Sequence, residues 1–198
     1  MTPAVVAARD FPDTSDGIFI FDDQLDTSAL SDAQFAFAAT HAVGTQKIVV
    51  GAARRLRQLN SNFLVLHYRL GQALGRAPAG RDCQPGAQPI QIINGDQWVP
   101  EWPGDSNVRD SWFFHWSGQR VFNCDWGHYR MDISDPGWRA VWTGQVIQQL
   151  QAEEADGLFA DSYSVPNYFG PDAWRPSLPV VDAAFEADWA HREHDFTD

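Results

Sequence analysis

Three short apolar runs punctuate the chain, and each ends in polar residues. Gly17-Ile-Phe-Ile-Phe21 runs into Asp22-Asp23, Asn62-Phe-Leu-Val-Leu66 into His67-Tyr68-Arg69, and Asp156-Gly-Leu-Phe-Ala160 into Asp161-Ser162-Tyr163. Runs without polar alternation predict parallel strands covered on both faces. Two weaker strands are predicted over 43–50 and 129–133. Helical spacing fills the gaps. Ser31-x-x-Gln34 reads as a capping box ahead of Phe35, Ala38, Ala39 and Ala42. Residues 52–59 predict a second helix with Arg54, Arg55 and Arg57 on its wet side. Asp135-Pro136 combines an N-cap with proline at the first helical position. Behind it, Trp138, Val141, Trp142, Val146, Ile147 and Leu150 form one apolar stripe, with Gln148, Gln149 and Gln151 off it. A last helix is predicted near 181–192.

This alternation predicts an α/β fold with a parallel sheet and right-handed crossovers. The polar residues closing the strands then sit where such folds place their chemistry. Residues 70–128 break the rhythm with Gly, Pro, both cysteines and five tryptophans. No long amphipathic helix lies there, and the aromatic content argues for a folded loop elaboration over the site.

Composition narrows the function. With 198 residues, 44% of them hydrophobic, the chain supports one core, so residues 1–198 are expected to form a single domain. Lys plus Arg is 14 against 26 for Asp plus Glu, a net charge of −12. That balance speaks against nucleic acid and anionic membrane surfaces as partners. No run approaches the ~20 apolar residues of a spanning helix. Met1–Asp10 has only the apolar patch Ala4–Ala8 and no basic n-region, so no signal peptide is recognisable.

Nine tryptophans, seven of them from Trp98 to Trp142, are core material or flat platforms for sugar rings. The helical stripe assigns Trp138 and Trp142 to the core. Trp98, Trp102, Trp112, Trp116 and Trp126 are the platform candidates, and Asp125-Trp126-Gly127 sets an acid beside an aromatic in a turn. Cys83 and Cys124 fit one disulfide or two thiols equally. His115 and His128 have no third ligand at a telling spacing, so neither a metal nor a cofactor is expected. The chain has no GxSxG elbow, P-loop or GxGxxG fingerprint.

Five segments occur in a telling order: Gly44-Thr-Gln-Lys47, Leu59-Asn-Ser-Asn-Phe-Leu-Val-Leu-His-Tyr68, Ser111-Trp-Phe-Phe-His-Trp-Ser-Gly118, Met131-Asp-Ile-Ser-Asp-Pro-Gly-Trp138 and Asp156-Gly-Leu-Phe-Ala-Asp-Ser162. Over about residues 17–163 this succession resembles the TIM-barrel glycoside hydrolases related to the endo-α-1,4-polygalactosaminidase group. The resemblance implies a (β/α)8 barrel acting on a polysaccharide or oligosaccharide, and an exported protein. It places the strand-end acid at Asp161, further acids at Asp22 and Asp23, and a strand-end aromatic at Tyr68. A complete barrel needs ~250 residues. About five strands are predicted here, with a long aromatic-rich insertion after the third, so the barrel is expected to be incomplete and truncated at its C-terminus.

Glycoside hydrolysis uses two carboxyl groups flanking the scissile bond. Asp161 closes a buried apolar strand, where restricted solvent favours a proton-donating carboxyl. Asp132 lies on the preceding predicted strand, sharing a face with Arg130 and Ser134. If that strand neighbours Asp161's at ~4.8 Å, the two acids could stand at the ~5 Å of retaining enzymes. An Arg130–Asp132 ion pair is the alternative. Asp22 and Asp23 point to opposite faces, so one can serve as an acid or sugar ligand while the other caps the loop. Tyr68, Tyr129 and Tyr163, with Trp112, Trp116 and Trp126, complete the expected substrate contacts. Two rivals remain on sequence: a carbohydrate-binding protein or inactive barrel fragment using the same aromatics, and a metal-dependent hydrolase using Asp and His.

Overall fold

In a computed structural model of the chain, the described residues are 9–13, 15, 17–23, 25–74, 91–94, 97–100, 109–123, 128–161, 163, 173–178 and 182–197. They fall into two compact units. One comprises Met1–Arg69, Ile93–Gln97 and Gln145–Phe159; the other comprises Leu70–Ile92, Trp98–Gly144 and Ala160–Asp198.

The chain is mixed α/β, with a four-stranded parallel sheet. Its strands are β1 (Phe21–Asp22), β2 (Gly44–Gln46), β3 (Leu64–Leu70) and, after a long excursion, the eleventh strand among the described residues, β11 (Gly157–Asp161). They lie in the order β1-β2-β3-β11. The β1–β2 and β2–β3 registers are parallel, aligning Asp22 with Thr45 and Thr45 with Val65. Gly44 is required where β2 passes its neighbours, because a Cβ there would stand 2.6 Å from the Leu64 carbonyl and 2.8 Å from the Phe21 ring.

Helices α1 (Asp32–His41) and α2 (Val50–Leu59) connect these strands. The capping box holds: the Ser31 hydroxyl accepts from the Gln34 amide at 3.4 Å, and the Gln34 side chain accepts from the Ser31 amide at 2.9 Å. Phe35 and Ala39 of α1, Ala52, Ala53 and Leu56 of α2, and Phe63 and Val65 form one buried cluster. Two expectations need correction. Gly17–Ile20 is outside the strand, and Ile18 is 99% exposed, because β1 is a sheet edge with β2 on one side only. Arg57 is half-buried rather than wet, since it pairs with Asp156 at 2.6 Å.

The second unit is built on short antiparallel pairings. β4 (Ala73–Leu74), β9 (Phe122–Asn123), β10 (Tyr129–Arg130) and β12 (Trp174–Arg175) form a sheet in the order β12-β9-β10-β4. β7 (His115–Trp116) pairs with β8 (Gln119–Arg120) in the same antiparallel way, and β5 (Gln91–Asn94) and β6 (Gln97–Pro100) form a separate two-stranded sheet that includes residues of the first unit. The strand predicted over 129–133 is therefore only Tyr129–Arg130, and it is antiparallel to both neighbours rather than a member of the parallel sheet.

Helix α3 (Pro136–Glu153) begins as the Asp-Pro signal predicts, with the Asp135 carboxylate accepting from the Gly137 and Trp138 amides at 2.7 and 3.1 Å. Trp138, Trp142 and Val146 are buried, whereas Ile147 is exposed and leaves the predicted stripe. Helix α4 (Ala183–Thr197) runs five residues beyond its predicted end and buries Trp189. Among the described residues, no helix is long and apolar enough to cross a membrane.

Candidate active site

In the first unit, polar side chains gather at the C-terminal ends of β1 and β2, beside Tyr68, which lies within β3 and not at its end as expected. The Asp23 carboxylate accepts from the Gln46 amide and lies 3.4 Å from Lys47 Nζ. Lys47 Nζ stands 4.4 Å from the Tyr68 ring centroid, and that ring stacks on Phe159 at 6.1 Å. Gln46 and Tyr68 are buried, while Asp23 is exposed. Lys47 has φ 58°, a left-handed conformation that a lysine adopts only where its surroundings enforce it. Asp22, aligned with Thr45, receives the Thr45 hydroxyl on its carbonyl at 2.9 Å. The Asp23 carboxylate thus meets the end of the next strand. Tyr68 is only 4% exposed, with Lys47 on its ring, so it orders this cluster rather than offering an open platform.

In the second unit, Asp161 closes β11, half-buried, and its carbonyl accepts from the Gly71 amide at 2.7 Å. Asp132 lies in the turn after β10, where Oδ1 accepts from the Ser134 amide at 3.0 Å, the Ser134 hydroxyl and Arg192 at 2.8 Å. Two expectations are corrected here. β11 neighbours β3 and not β10, so the adjacent-strand spacing drawn for Asp132 and Asp161 does not apply. The ion-pair partner of Asp132 is Arg192 of α4, not Arg130. Despite burial, Asp188 and Asp132 hold the Arg192 guanidinium above its ordinary value.

Arg130 belongs to a different group. It donates to Gln72 Oε1, which also accepts the Trp189 indole N–H at 3.1 Å, while Gln72 Nε2 donates to Glu193 at 2.7 Å. Arg130 also lies 4.8 Å over the Trp189 ring. Burial draws its guanidinium down to about 9, against the pull of Glu193 and Tyr163, so it remains a cation at neutral pH. Burial and the Glu193 carboxylate push the Tyr163 phenol up, outweighing Arg130, and keep it a neutral donor.

Of the predicted platforms within the described residues, Trp112 is core and Trp116 is half-buried. Trp112 is 5% exposed and packs on Trp138 at 6.4 Å, so it cannot stack on a sugar, and the platform expectation for it is corrected. Tyr129 is wedged edge-on between Phe113 at 5.3 Å and Phe122 at 5.2 Å. Trp116 is half-buried against Phe185 at 6.4 Å. Trp102, Trp126, Cys83 and Cys124 lie outside the described residues, as does the Trp98 side chain. His115 bonds the Phe113 carbonyl at 2.8 Å and lies 3.3 Å from Asp110, and His128 is buried. Among the described residues, no group of three His, Cys, Asp or Glu side chains is placed to hold a metal ion. A cleft lined by Asp10, His41 and Asn60 also contacts Val43 and Leu64, at the opposite ends of β2 and β3 from the acids.

Sequence reasoning did not single out Gln46 and Lys47 as site residues, although both belong to the Gly44–Lys47 segment and close a strand with polar atoms. It also missed Gln72, Arg192 and Glu193. Gln72 follows a strand end, but nothing local marks Arg192 or Glu193 on an ordinary amphipathic helix.

The chain is thus a mixed α/β protein in whose parallel sheet β1 and β11 end in aspartates. The sequence profile of the hypothetical glycosyl hydrolase family 15 matches residues 57–196, and the chain belongs to that family. No curated protein matches the chain.

Proposed function

We propose that the protein hydrolyses glycosidic bonds in a polysaccharide or oligosaccharide by carboxylate acid–base catalysis, with Asp161 as the principal carboxyl. The observation that carries the reading is the position of Asp161, the terminal residue of the last strand in a parallel sheet, in a chain of a glycosyl hydrolase family. The four-stranded sheet is read as an arc of a (β/α)8 barrel. Such barrels carry their chemistry at the C-terminal strand ends.

The reaction needs one carboxyl that protonates the leaving oxygen, and a second that attacks the anomeric carbon or activates water. Asp132 accepts from Arg192 and Ser134, which suits the accepting role better than proton donation. Trp116, half-buried, would contact a sugar ring, and Tyr163, its hydroxyl buried, would back the site. No metal or cofactor is invoked.

The reading is tested by incubating the folded, monodisperse protein with a panel of polymers that includes galactosamine-rich and uronic polysaccharides. Reducing ends should appear with at least one of them. Saturable binding without any release of reducing ends would replace the hydrolase by a carbohydrate-binding protein.

A further inference from the structure

Gly71 directly follows β3, and its surroundings leave no space for a side chain. Its amide donates to the Asp161 carbonyl at 2.7 Å. A Cβ at this position would overlap Cδ2 of Tyr163, stand 2.7 Å from Cε2 of the same ring, and lie 3.3 Å from the Asp161 carbonyl oxygen. The adjacent Leu70 carbonyl accepts the indole N–H of Trp142 at 3.0 Å. Trp142 packs on Phe196 at 4.9 Å, and Phe196 packs on Tyr163 at 5.6 Å. A backbone hydrogen bond and a column of three rings therefore close Asp161 and Tyr163 onto one position, which only glycine can occupy.

We propose that Gly71 is a positioning residue for the Asp161 carboxyl, an inference that rests on the reading of Asp161 as the catalytic acid. A side chain at 71 must displace the Tyr163 ring, the Asp161 carbonyl or both. The ring is backed by Phe196 and Trp142 and cannot simply swing away. The displacement therefore passes into the backbone that carries the Asp161 carboxyl. A misplacement of ~1 Å at a reacting group costs on the order of 100-fold in rate. Gly71 touches no substrate in this account, so the loss falls on kcat and leaves KM in place.

The test compares wild type, Gly71→Ala, Tyr163→Ala and the double variant on the polymer the wild type hydrolyses. Gly71→Ala should lose about 100-fold in kcat at unchanged KM. The double variant should match Tyr163→Ala alone, because the ring that obstructs the new methyl group is gone. Wild-type kcat in Gly71→Ala, or losses that simply multiply in the double variant, would overturn the proposal.

Should Gly71→Ala not fold, the double variant decides, since it must melt with Tyr163→Ala. Unfolding of the double variant as well would show that the ring is not the obstacle. A second readout needs no activity: the carboxyl 13C resonance of Asp161 in aspartate-labelled protein, assigned by its loss in Asp161→Asn. It should move in Gly71→Ala and coincide in the double variant and Tyr163→Ala. A wild type without hydrolysis refutes the hydrolase reading, whereas an unmoved resonance refutes the positioning role.

Discussion

Lys47 holds its ammonium group 4.4 Å from the ring centroid of Tyr68 while its own backbone lies in the left-handed region at φ 58°. An L-residue with a Cβ loses about 1–2 kcal/mol there. The exposed Asp23 carboxylate returns at most ~1 kcal/mol through its ion pair with Lys47. The conformation is thus kept for where it places the ammonium, over a ring and beside a strand-end acid.

Replacing Lys47 with asparagine, a residue tolerant of this backbone, should leave thermal stability equal to wild type or slightly raised. Hydrolysis should fall several-fold. A melting temperature lowered together with activity would show instead that the lysine is a structural prop.

Asp156 anchors the first unit. Its carboxylate is 2% exposed and accepts from Arg9 at 3.0 Å, Arg57 at 2.6 Å and the Val65 amide at 2.9 Å. Removing one partner from a buried ion pair costs about 3–5 kcal/mol, so urea unfolding of Asp156→Asn should show a loss of that order at pH 7. Burial alone would raise this carboxyl, but the Val65 amide, Arg9 and Arg57 together outweigh it and hold it below the ordinary aspartate value. A depressed folded-state value means the stabilisation is complete above the unfolded pKa of ~3.9 and disappears as pH falls through the folded one. The stability gap between wild type and Asp156→Asn should therefore stay constant from pH 7 to about 5 and close on further acidification. A gap that persists undiminished at pH 2 would contradict the assignment.

Gln72 is fully buried and serves Arg130, Trp189 and Glu193 at once. Gln72→Leu deprives two donors and a carboxylate of partners, at a cost of about 3 kcal/mol or more in urea unfolding. Gln72→Glu keeps the acceptor for Arg130 and Trp189 but meets Glu193 as a like charge. Its stability should recover relative to wild type as the pH is lowered into the carboxylate range. Equal stability of Gln72→Leu and wild type would show that this network contributes nothing.

What was legible in the sequence was local. Ser31 and Gln34, or Asp135 and Pro136, lie within one helical turn of the groups they satisfy, so their spacing alone announces α1 and α3. The apolar run 62–66 enters β3 at Leu64, and the strand, central in the sheet, continues through His67, Tyr68 and Arg69 to Leu70, whereas the equally apolar Ile18 and Ile20 stay exposed beside a two-residue edge strand. Composition cannot tell a central strand from an edge.

The candidate site was legible only as far as strand ends reveal it. Asp161, Asp22 and Asp23 close their strands as expected, but their partners come from distant segments. Arg192 reaches Asp132 across sixty positions and Glu193 reaches Gln72 across more than a hundred, with no sequence signal for either pairing. Trp112 was ambiguous for a related reason: an aromatic beside serine and aspartate looks exposed until a helix carrying Trp138 covers it.

The central claim is that Asp161 carries a glycosidic hydrolysis. Its most direct test is release of reducing ends by wild type and Asp161→Asn, run in parallel on the polymer panel after both are shown to be folded. The account predicts measurable hydrolysis by wild type and a loss of at least 100-fold in the variant, since the general acid–base contribution alone is about 10²–10⁴-fold. Equal rates in the two proteins would contradict it.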